Sequence, residues 1–158
     1  MRALKRNDMP GLRSLLGRLK VAGSFTGDEI ECALELLQLV LDQPGQKDYL
    51  VQVAEGRDGL VGYVLYGPVP LTVGTFDIYW IATSPQVHGQ GFGRRLLEAA
   101  ERDMKKRSAR MICLETSSKS AYDRTRAFYE NAGYRQEAVL VDFYRPGDDR
   151  ITYVKRFS

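Results

Sequence analysis

The stretch Pro85-Gln86-Val87-His88-Gly89-Gln90-Gly91-Phe92-Gly93-Arg94-Arg95-Leu96-Leu97 decides how the rest of the chain is read. It follows a run with strand character, Thr75 to Ala82, and leads directly into an amphipathic helix. Glycines at 89, 91 and 93 let the main chain bend tightly and approach a ligand with no Cβ atoms in the way. The helix behind them offers N–H groups without intrahelical partners and the positive end of its dipole. Together these features predict a seat for a phosphate or diphosphate.

Two well-known phosphate loops do not fit. The loop of nucleoside triphosphatases ends in Gly-Lys-Ser/Thr, and Gly93-Arg94-Arg95 does not supply that ending. A dinucleotide fingerprint needs a further glycine at a position that falls here on Arg94 or on Leu96, depending on register. The loop also follows a fourth or fifth strand rather than the first βα turn of a nucleotide-binding half. A nucleotide-binding switch is thereby excluded. On its own the loop is a weak signal, and its competing reading is a flexible strand-to-helix turn.

Bulk properties narrow the classes further. A chain of 158 residues can bury a core unaided and is read as one domain, residues 1–158. The net charge of +3 is too slight to argue for nucleic acid, although it suits a small anionic ligand. No run of about 18 apolar residues occurs, so no membrane span is expected. Met1 to Arg6 is followed by Asn7 and Asp8 rather than an apolar core, which argues against a signal peptide and for the cytoplasm. Cys32 and Cys113 make no disulfide framework. With His88 as the single histidine, no zinc site of ordinary ligand count can form, and no metal is expected.

Upstream of the loop, Arg2 to Arg6 has a weak strand pattern. Asn7 or Asp8 then caps a helix with Pro10 in its first turn and Leu12, Leu15, Leu16 and Leu19 on one face. Thr26 and Glu29 have capping-box spacing, with Phe25 in the staple position. The helix after them carries Ile30, Ala33, Leu34, Leu37, Val40 and Leu41 on one stripe and ends before Pro44. Strands are expected at Leu50–Ala54 and Leu60–Tyr66, joined by the turn-rich Glu55–Gly59. In the strand Thr75 to Ala82, simple alternation puts Asp77, Tyr79 and Ile81 on one face and Phe76, Ile78, Trp80 and Ala82 on the other.

Downstream, the helix from about Gly91 to Arg107 turns Leu96, Leu97, Ala99, Ala100 and Met104 inward. Glu98–Arg102 and Glu101–Lys105 are expected as pairs on its wet side. Met111–Glu115 reads as a central strand buried on both faces, which implies a parallel crossover with the strand before the loop. Tyr122–Asn131 is a helix stopped at Gly133, followed by strands near Tyr134–Phe143 and Arg150–Phe157.

Two stretches, Ile81 to Leu97 and Thr125-Arg126-Ala127-Phe128-Tyr129-Glu130-Asn131-Ala132-Gly133-Tyr134, together resemble the GNAT superfamily of acyl-CoA-dependent N-acyltransferases. The earlier stretch is similar to that family's pyrophosphate-binding motif, Gln/Arg-x-x-Gly-x-Gly/Ala. The later one resembles its late helix, Ala-x-x-Phe-Tyr-x-x-x-Gly-Phe, and one strand separates the two as the family requires. His88 stands where the family usually has Gln or Arg, and Tyr122 where many members carry an Asn that contacts the cofactor.

The resemblance implies an α/β (α+β) fold, a twisted mixed sheet of about six or seven strands flanked by helices and splayed between strands 4 and 5. It implies acetyl-CoA as cosubstrate, an amine-bearing small molecule or peptide as acceptor, and leaves room for a homodimer. The amides of Gly89, Gly91, Gly93 and Arg94 would cradle the CoA diphosphate, with His88, Gln90, Phe92 and Tyr122 beside it and Arg94 or Arg95 adding charge. Backbone groups of Ile81 and Thr83, with Ala82 between them, would pair with pantetheine like an added strand, and one would polarise the thioester carbonyl.

An amine that arrives as ammonium needs a base, and the departing thiolate needs an acid. Asp77 is read as the base, directly or through water, because burial in an apolar strand raises a carboxyl pKa. The competing reading is a structural carboxylate or an anchor for substrate charge. Tyr129, matching the Tyr of the Phe-Tyr pair, is read as the acid, against a plain core tyrosine. Phe25, Tyr66 and Tyr79 would wall the acceptor pocket, against core packing. Cys113 is read as a core residue. The leading function is acetyl transfer from acetyl-CoA to a primary amine in a ternary complex. The alternative is a non-catalytic acyl-CoA-binding module of the same fold.

Overall fold

The computed structural model describes residues 1–158. Its strands are β1 (Arg2–Ala3), β2 (Leu50–Gly56), β3 (Gly59–Pro68), β4 (Thr75–Thr83), β5 (Met111–Ser117), β6 (Arg135–Arg145) and β7 (Asp148–Arg156). Its helices are α1 (Met9–Val21), α2 (Gly27–Asp42), α3 (Phe92–Lys106) and α4 (Asp123–Asn131). All seven strands form one mixed sheet in the order β1-β2-β3-β4-β5-β7-β6. Every neighbouring pair is antiparallel except β4 and β5, which the α3 crossover joins in parallel.

The sheet separates two apolar clusters. On one face α1 and α2 press Leu12, Leu15, Leu16, Leu19, Ala33 and Leu37 against Val53, Tyr63 and Leu65. On the other, α3 and α4 pack Leu96, Leu97, Ala100, Met104 and Tyr129 against Val64, Ile78, Ile112, Leu114 and Tyr153. The α1/α2 layer covers the β1–β4 half of its face. No helix packs on that face over β5, β7 and β6, whose residues belong to neither helix layer there.

The helix starts form as their sequences dictate. Thr26 and Glu29 make the reciprocal capping box, with Glu29 N–H donating to Thr26 Oγ1 at 3.3 Å and Thr26 N–H donating to Glu29 Oε2 at 2.6 Å. Asp8 is the N-cap residue of α1 but caps nothing with its side chain. Its carboxylate instead accepts a bidentate pair from Arg2 and the Lys5 N–H, which fastens the short β1 to the helix entry.

Four expectations need correction. A bulge shifts the β3–β4 register, so that Leu65 opposes Trp80 while Tyr66 opposes Ile78, leaving Tyr79 as the extra residue. Alternation therefore reverses partway along β4. Asp77, Trp80 and Ala82 lie on the α1/α2 face, while Phe76, Ile78 and Ile81 lie on the α3/α4 face. Secondly, β5 is buried on one face only: Ile112 and Leu114 are core, whereas Cys113 is half-buried and Glu115 exposed on the uncovered face.

Thirdly, Glu101 is no wet-side partner of Lys105. It is 8% exposed, accepts a bond from the Tyr134 hydroxyl at 3.0 Å, and takes both contacts from Lys155 Nζ at 2.9 Å. Glu98 pairs with Arg94 rather than Arg102. Fourthly, Tyr66 is 1% exposed, and its hydroxyl donates to Asp103 on α3 at 2.8 Å. A phenol held there braces α3 against β3 and cannot wall an acceptor pocket.

Candidate active site

The β4–β5 ladder runs only from Thr75/Met111 to Ile78/Leu114. Beyond that both strands continue, β4 to Thr83 and β5 to Ser117, without pairing to each other. The outer neighbours still hold them: β3 stays on β4 as far as Thr83, and β7 stays on β5 as far as Ser117. A wedge thus opens inside the sheet. Since Ser84 N–H donates to Val61 O on β3 at 2.8 Å, alternate residues Ile81 and Thr83 direct their N–H and C=O groups the other way, into the wedge.

The glycine loop closes the wide end. Pro85–Val87 forms one 3-10 turn, Gly89 and Gly91 take φ values of 77° and 76°, and Gly91 is the N-cap of α3. Those conformations are strained for residues with a side chain, and the space around both positions is empty within 4 Å of where a Cβ would stand. No side chain caps the helix. The first loop-to-helix bond is Arg95 N–H to Gly91 O at 3.0 Å, so the N–H groups of Gly89, Gly91, Phe92, Gly93 and Arg94 have no acceptor. Five free amides next to empty space fit a diphosphate.

The side chains of the loop are arranged less simply. Arg94 is held by Glu98 at 2.9 Å and Arg95 lies over the Phe92 ring at 4.2 Å, so the positive charge flanks the amides rather than pointing across them. Gln90 N–H is already bonded to Val87 O, and its side-chain amide donates to Gln86 O at 3.3 Å. His88 Nε2 lies 3.3 Å from Thr83 O, the carbonyl that faces the wedge. Tyr122 occupies the N-cap position of α4, half-buried. A cleft of about 460 Å³ lies behind the loop, bounded by Arg18, Arg57, Ser84, Gln86 and Phe92.

Asp77 stands near the narrow end, opposite Cys113 and one residue before the last β4–β5 pair. It is half-buried, and its carboxylate has neither a hydrogen bond nor an ion-pair partner. Burial, and secondarily the charge of Glu115, push its pKa up from the ordinary aspartate value. Tyr129 sits on α4 across the sheet, 6% exposed among the rings of Phe128, Tyr134 and Tyr153. Its hydroxyl has no hydrogen-bond partner, and burial pushes the phenol up, so it keeps its proton at neutral pH. Asp77 and Tyr129 therefore lie on opposite faces of the sheet.

Of the aromatic residues expected at the acceptor side, Tyr79 lies beside Asp77. It is 38% exposed, and the ring of Tyr49 lies 5.5 Å away. Phe25 instead stacks on Trp80 at 5.3 Å, where the α1–α2 connection meets the sheet. Sequence reasoning missed Tyr49, which packs at the edge of the α1/α2 cluster, and Glu115, Phe143 and Tyr144 on the uncovered side. Glu115 did carry a signal, as the one charge ending an apolar strand. Tyr49 is brought in by a crossing that no local pattern shows. The backbone of Asp48 passes so close over β3 that any side chain at Gly67 would run into the Asp48 carbonyl.

A family model described as an acetyltransferase (GNAT) domain matches residues 47–136, which span β2 to the start of β6 and contain both motifs. No curated protein matches the chain in sequence. Among solved structures, a protein from Desulfovibrio desulfuricans assigned to the GNAT family of acetyltransferases is 38% identical, with a TM-score of 0.92, covering 99% of this chain and 96% of that one. The PaiA N-acetyltransferase of Thermoplasma acidophilum, solved with coenzyme A, is 20% identical with a TM-score of 0.76, over 99% and 97%. The ribosomal-protein-S18-alanine N-acetyltransferase of Escherichia coli is also 20% identical, at 0.75, over 99% and 92%. The last two likenesses concern the fold. No helix is long and apolar enough to cross a membrane. With the family model covering more than half its length and a 38% identical relative matching end to end, the chain belongs to the GNAT acetyltransferase family.

Proposed function

We propose that the protein transfers an acetyl group from acetyl-CoA to a primary amine of a small molecule or peptide, by direct attack within a ternary complex. The observation that carries this reading is one gap with complementary ends. Five unpaired amides lie at the wide end of the β4–β5 wedge and the unpaired Asp77 carboxylate at the narrow end. The amides suit the diphosphate of CoA, and the wedge-facing backbone of Ile81 and Thr83 suits the pantetheine amides.

In this reading Asp77 takes a proton from the ammonium, directly or through a water. Its raised pKa makes it a better acceptor than an exposed aspartate. The amine lone pair then forms a C–N bond to the acetyl carbonyl carbon, an N–H in the wedge steadies the oxyanion, and the C–S bond breaks. CoA leaves as the thiol after the phenol of Tyr129 gives it a proton. The second proton lost by the nitrogen and the one held by Asp77 pass to solvent, from which Tyr129 is restored. His88 belongs to the cofactor side, holding the Thr83 carbonyl, rather than to proton transfer.

The test combines CoA binding by calorimetry with thiol release over a panel of amines. Wild type should bind CoA and release thiol, while Asp77→Asn and Tyr129→Phe each lower kcat about 10²-fold or more with little change in CoA affinity. Failure to bind CoA or acetyl-CoA refutes the proposal. CoA binding with thiol release no greater than in the variants, on any amine, leaves the non-catalytic binding module as the correct reading.

A further inference from the structure

The uncovered face beside Asp77 has a particular chemistry. Asp77 on β4 opposes Cys113 on β5, and Glu115 lies two residues further along β5 on the same face. At the spacing of neighbouring strands and residues, the two carboxylates have Cα atoms at least ~8 Å apart, with the strands diverging between them. Next to Asp77 the Tyr79 ring meets Tyr49 at 5.5 Å, and Asp48 immediately precedes Tyr49. The Tyr79 phenol is pushed up first by partial burial of its ring and then by the charge of Asp77, the Tyr49 phenol and Asp48.

The cations near these groups do not cancel them. Arg150 reaches Glu115 through one 3.3 Å contact and otherwise lies over the Phe143 ring at 4.4 Å. Arg156 is taken up by Glu137 in a two-point pair. At the far end, the Asp148 carboxylate is bonded by Ser117 and neighboured by Lys119 and Arg145. Asp48, Asp77 and the free side of Glu115 thus remain as negative groups, with Tyr49 and Tyr79 beside the two aspartates and Tyr144 beside Glu115. Carboxylates among aromatic faces attract ammonium groups and repel a carboxylate on the same ligand.

We propose that the acceptor is a diamine or polyamine, bound across this face with one nitrogen at Asp77 and a second, still protonated, between Glu115 and the Tyr49–Tyr79 pair. This deepens the acetyltransferase reading and rests on it. The reacting ammonium loses two protons, the first to Asp77, as its nitrogen gains the acetyl carbon; CoA leaves as the thiol with one proton, the other passes to solvent, and the product keeps a charged second ammonium. An α-amino acid or a short amino acid with a free carboxylate would place like charge against Asp77 or Glu115.

The experiment compares three acceptors of one chain length with acetyl-CoA: 1,4-diaminobutane, butylamine and 4-aminobutanoate. The expected kcat/KM falls about tenfold or more from the diamine to butylamine, and further to the amino acid. Glu115→Gln and, separately, Asp48→Asn should narrow the diamine-to-butylamine ratio towards one, with folding checked by the thermal midpoint. A wild-type ratio of one or less, a ratio that neither variant changes, or tight CoA binding with no thiol release from any of the three overturns this inference alone. Absence of CoA binding overturns the acetyltransferase reading beneath it as well.

Discussion

Replacing Gly91 by alanine isolates what the glycine loop does. The residue holds φ at 76° as the N-cap of α3, and nothing lies within 4 Å of a Cβ placed there. The folded protein therefore meets no new clash, only the cost of a left-handed conformation for an L-residue, about 1–2 kcal/mol. For a chain of this size that lowers the thermal midpoint by roughly 2–8 °C. Binding should suffer separately, because the methyl enters the empty space in front of the free amides of Phe92, Gly93 and Arg94. Losing one charge-assisted hydrogen bond to a diphosphate costs about 1.5–3 kcal/mol, or about 10- to 100-fold in Kd. Gly17→Ala is the control, since its site on α1 is equally empty but helical, so it should gain about 0.5–1 kcal/mol and leave CoA binding alone. Urea unfolding measures the stability change and calorimetric titration with CoA the binding change. A Gly91→Ala protein that loses stability but binds CoA as wild type does would refute the diphosphate seat.

Three further outcomes follow from named contacts. Because folding raises the Asp77 pKa, the group destabilises the protein once pH exceeds its unfolded value, and the cost is fully present above the folded one. Asp77→Asn should therefore raise the thermal midpoint at pH 7 and not at pH 3, measured by calorimetry. The same shift puts the acid limb of the wild-type kcat/KM profile above the range of an exposed aspartate. Lys155→Met leaves Glu101 with Tyr134 as its remaining side-chain partner and should cost about 2 kcal/mol, reduced from the fully buried case because Lys155 is partly exposed. Adding Glu101→Leu should recover most of the loss in urea unfolding. Tyr66→Phe should cost about 1 kcal/mol through the lost Asp103 bond and leave amine KM unchanged, as kinetics on the preferred amine will show.

The local parts of this fold were legible because local physics decides them. Leucines at helical spacing, the Thr26–Glu29 box and the glycines before α3 each act within a few residues, and each forms as the spacing predicts. The parallel β4–β5 pair followed from the strand, helix, strand order. What stayed hidden depends on partners far along the chain. Glu101 has the local pattern of a surface residue because its partners, Tyr134 and Lys155, lie 33 and 54 residues away. Tyr66 has that of a pocket residue because nothing near it announces Asp103. Tyr49 reaches the site only through a crossing that needs the bare backbone of Gly67. The bulge at Tyr79 was invisible for a different reason: a run of strand formers gives no sign of where one extra residue will be accommodated.

That bulge matters more to the proposed chemistry than any single side chain. Without it, Asp77 and Ile81 would share a face, and base and cofactor would approach the reacting carbon from the same side of the sheet. With it, Asp77 points to the α1/α2 face, at the border of its uncovered half, while Ile78, Ile81 and α4 with Tyr129 lie on the other. An amine and a thioester must meet from different directions for a lone pair to reach the carbonyl carbon as the sulfur departs. A sheet normally blocks such a meeting, because its ladder is continuous. Here the ladder opens after Ile78 and Leu114, one residue past Asp77, so the change of face and the loss of pairing fall together. Deleting Tyr79 would remove the extra residue and leave regular alternation, with Asp77 still opposite Gly67 and Trp80 still opposite Leu65, so that Asp77 and Ile81 stay on opposite faces. Acetyl transfer should then survive, slowed by loss of the Tyr79 ring, while CoA still titrates onto the amides of Gly89 to Arg94; a folded, CoA-binding deletion with no turnover would show that the division of faces is not enough to bring donor and acceptor together.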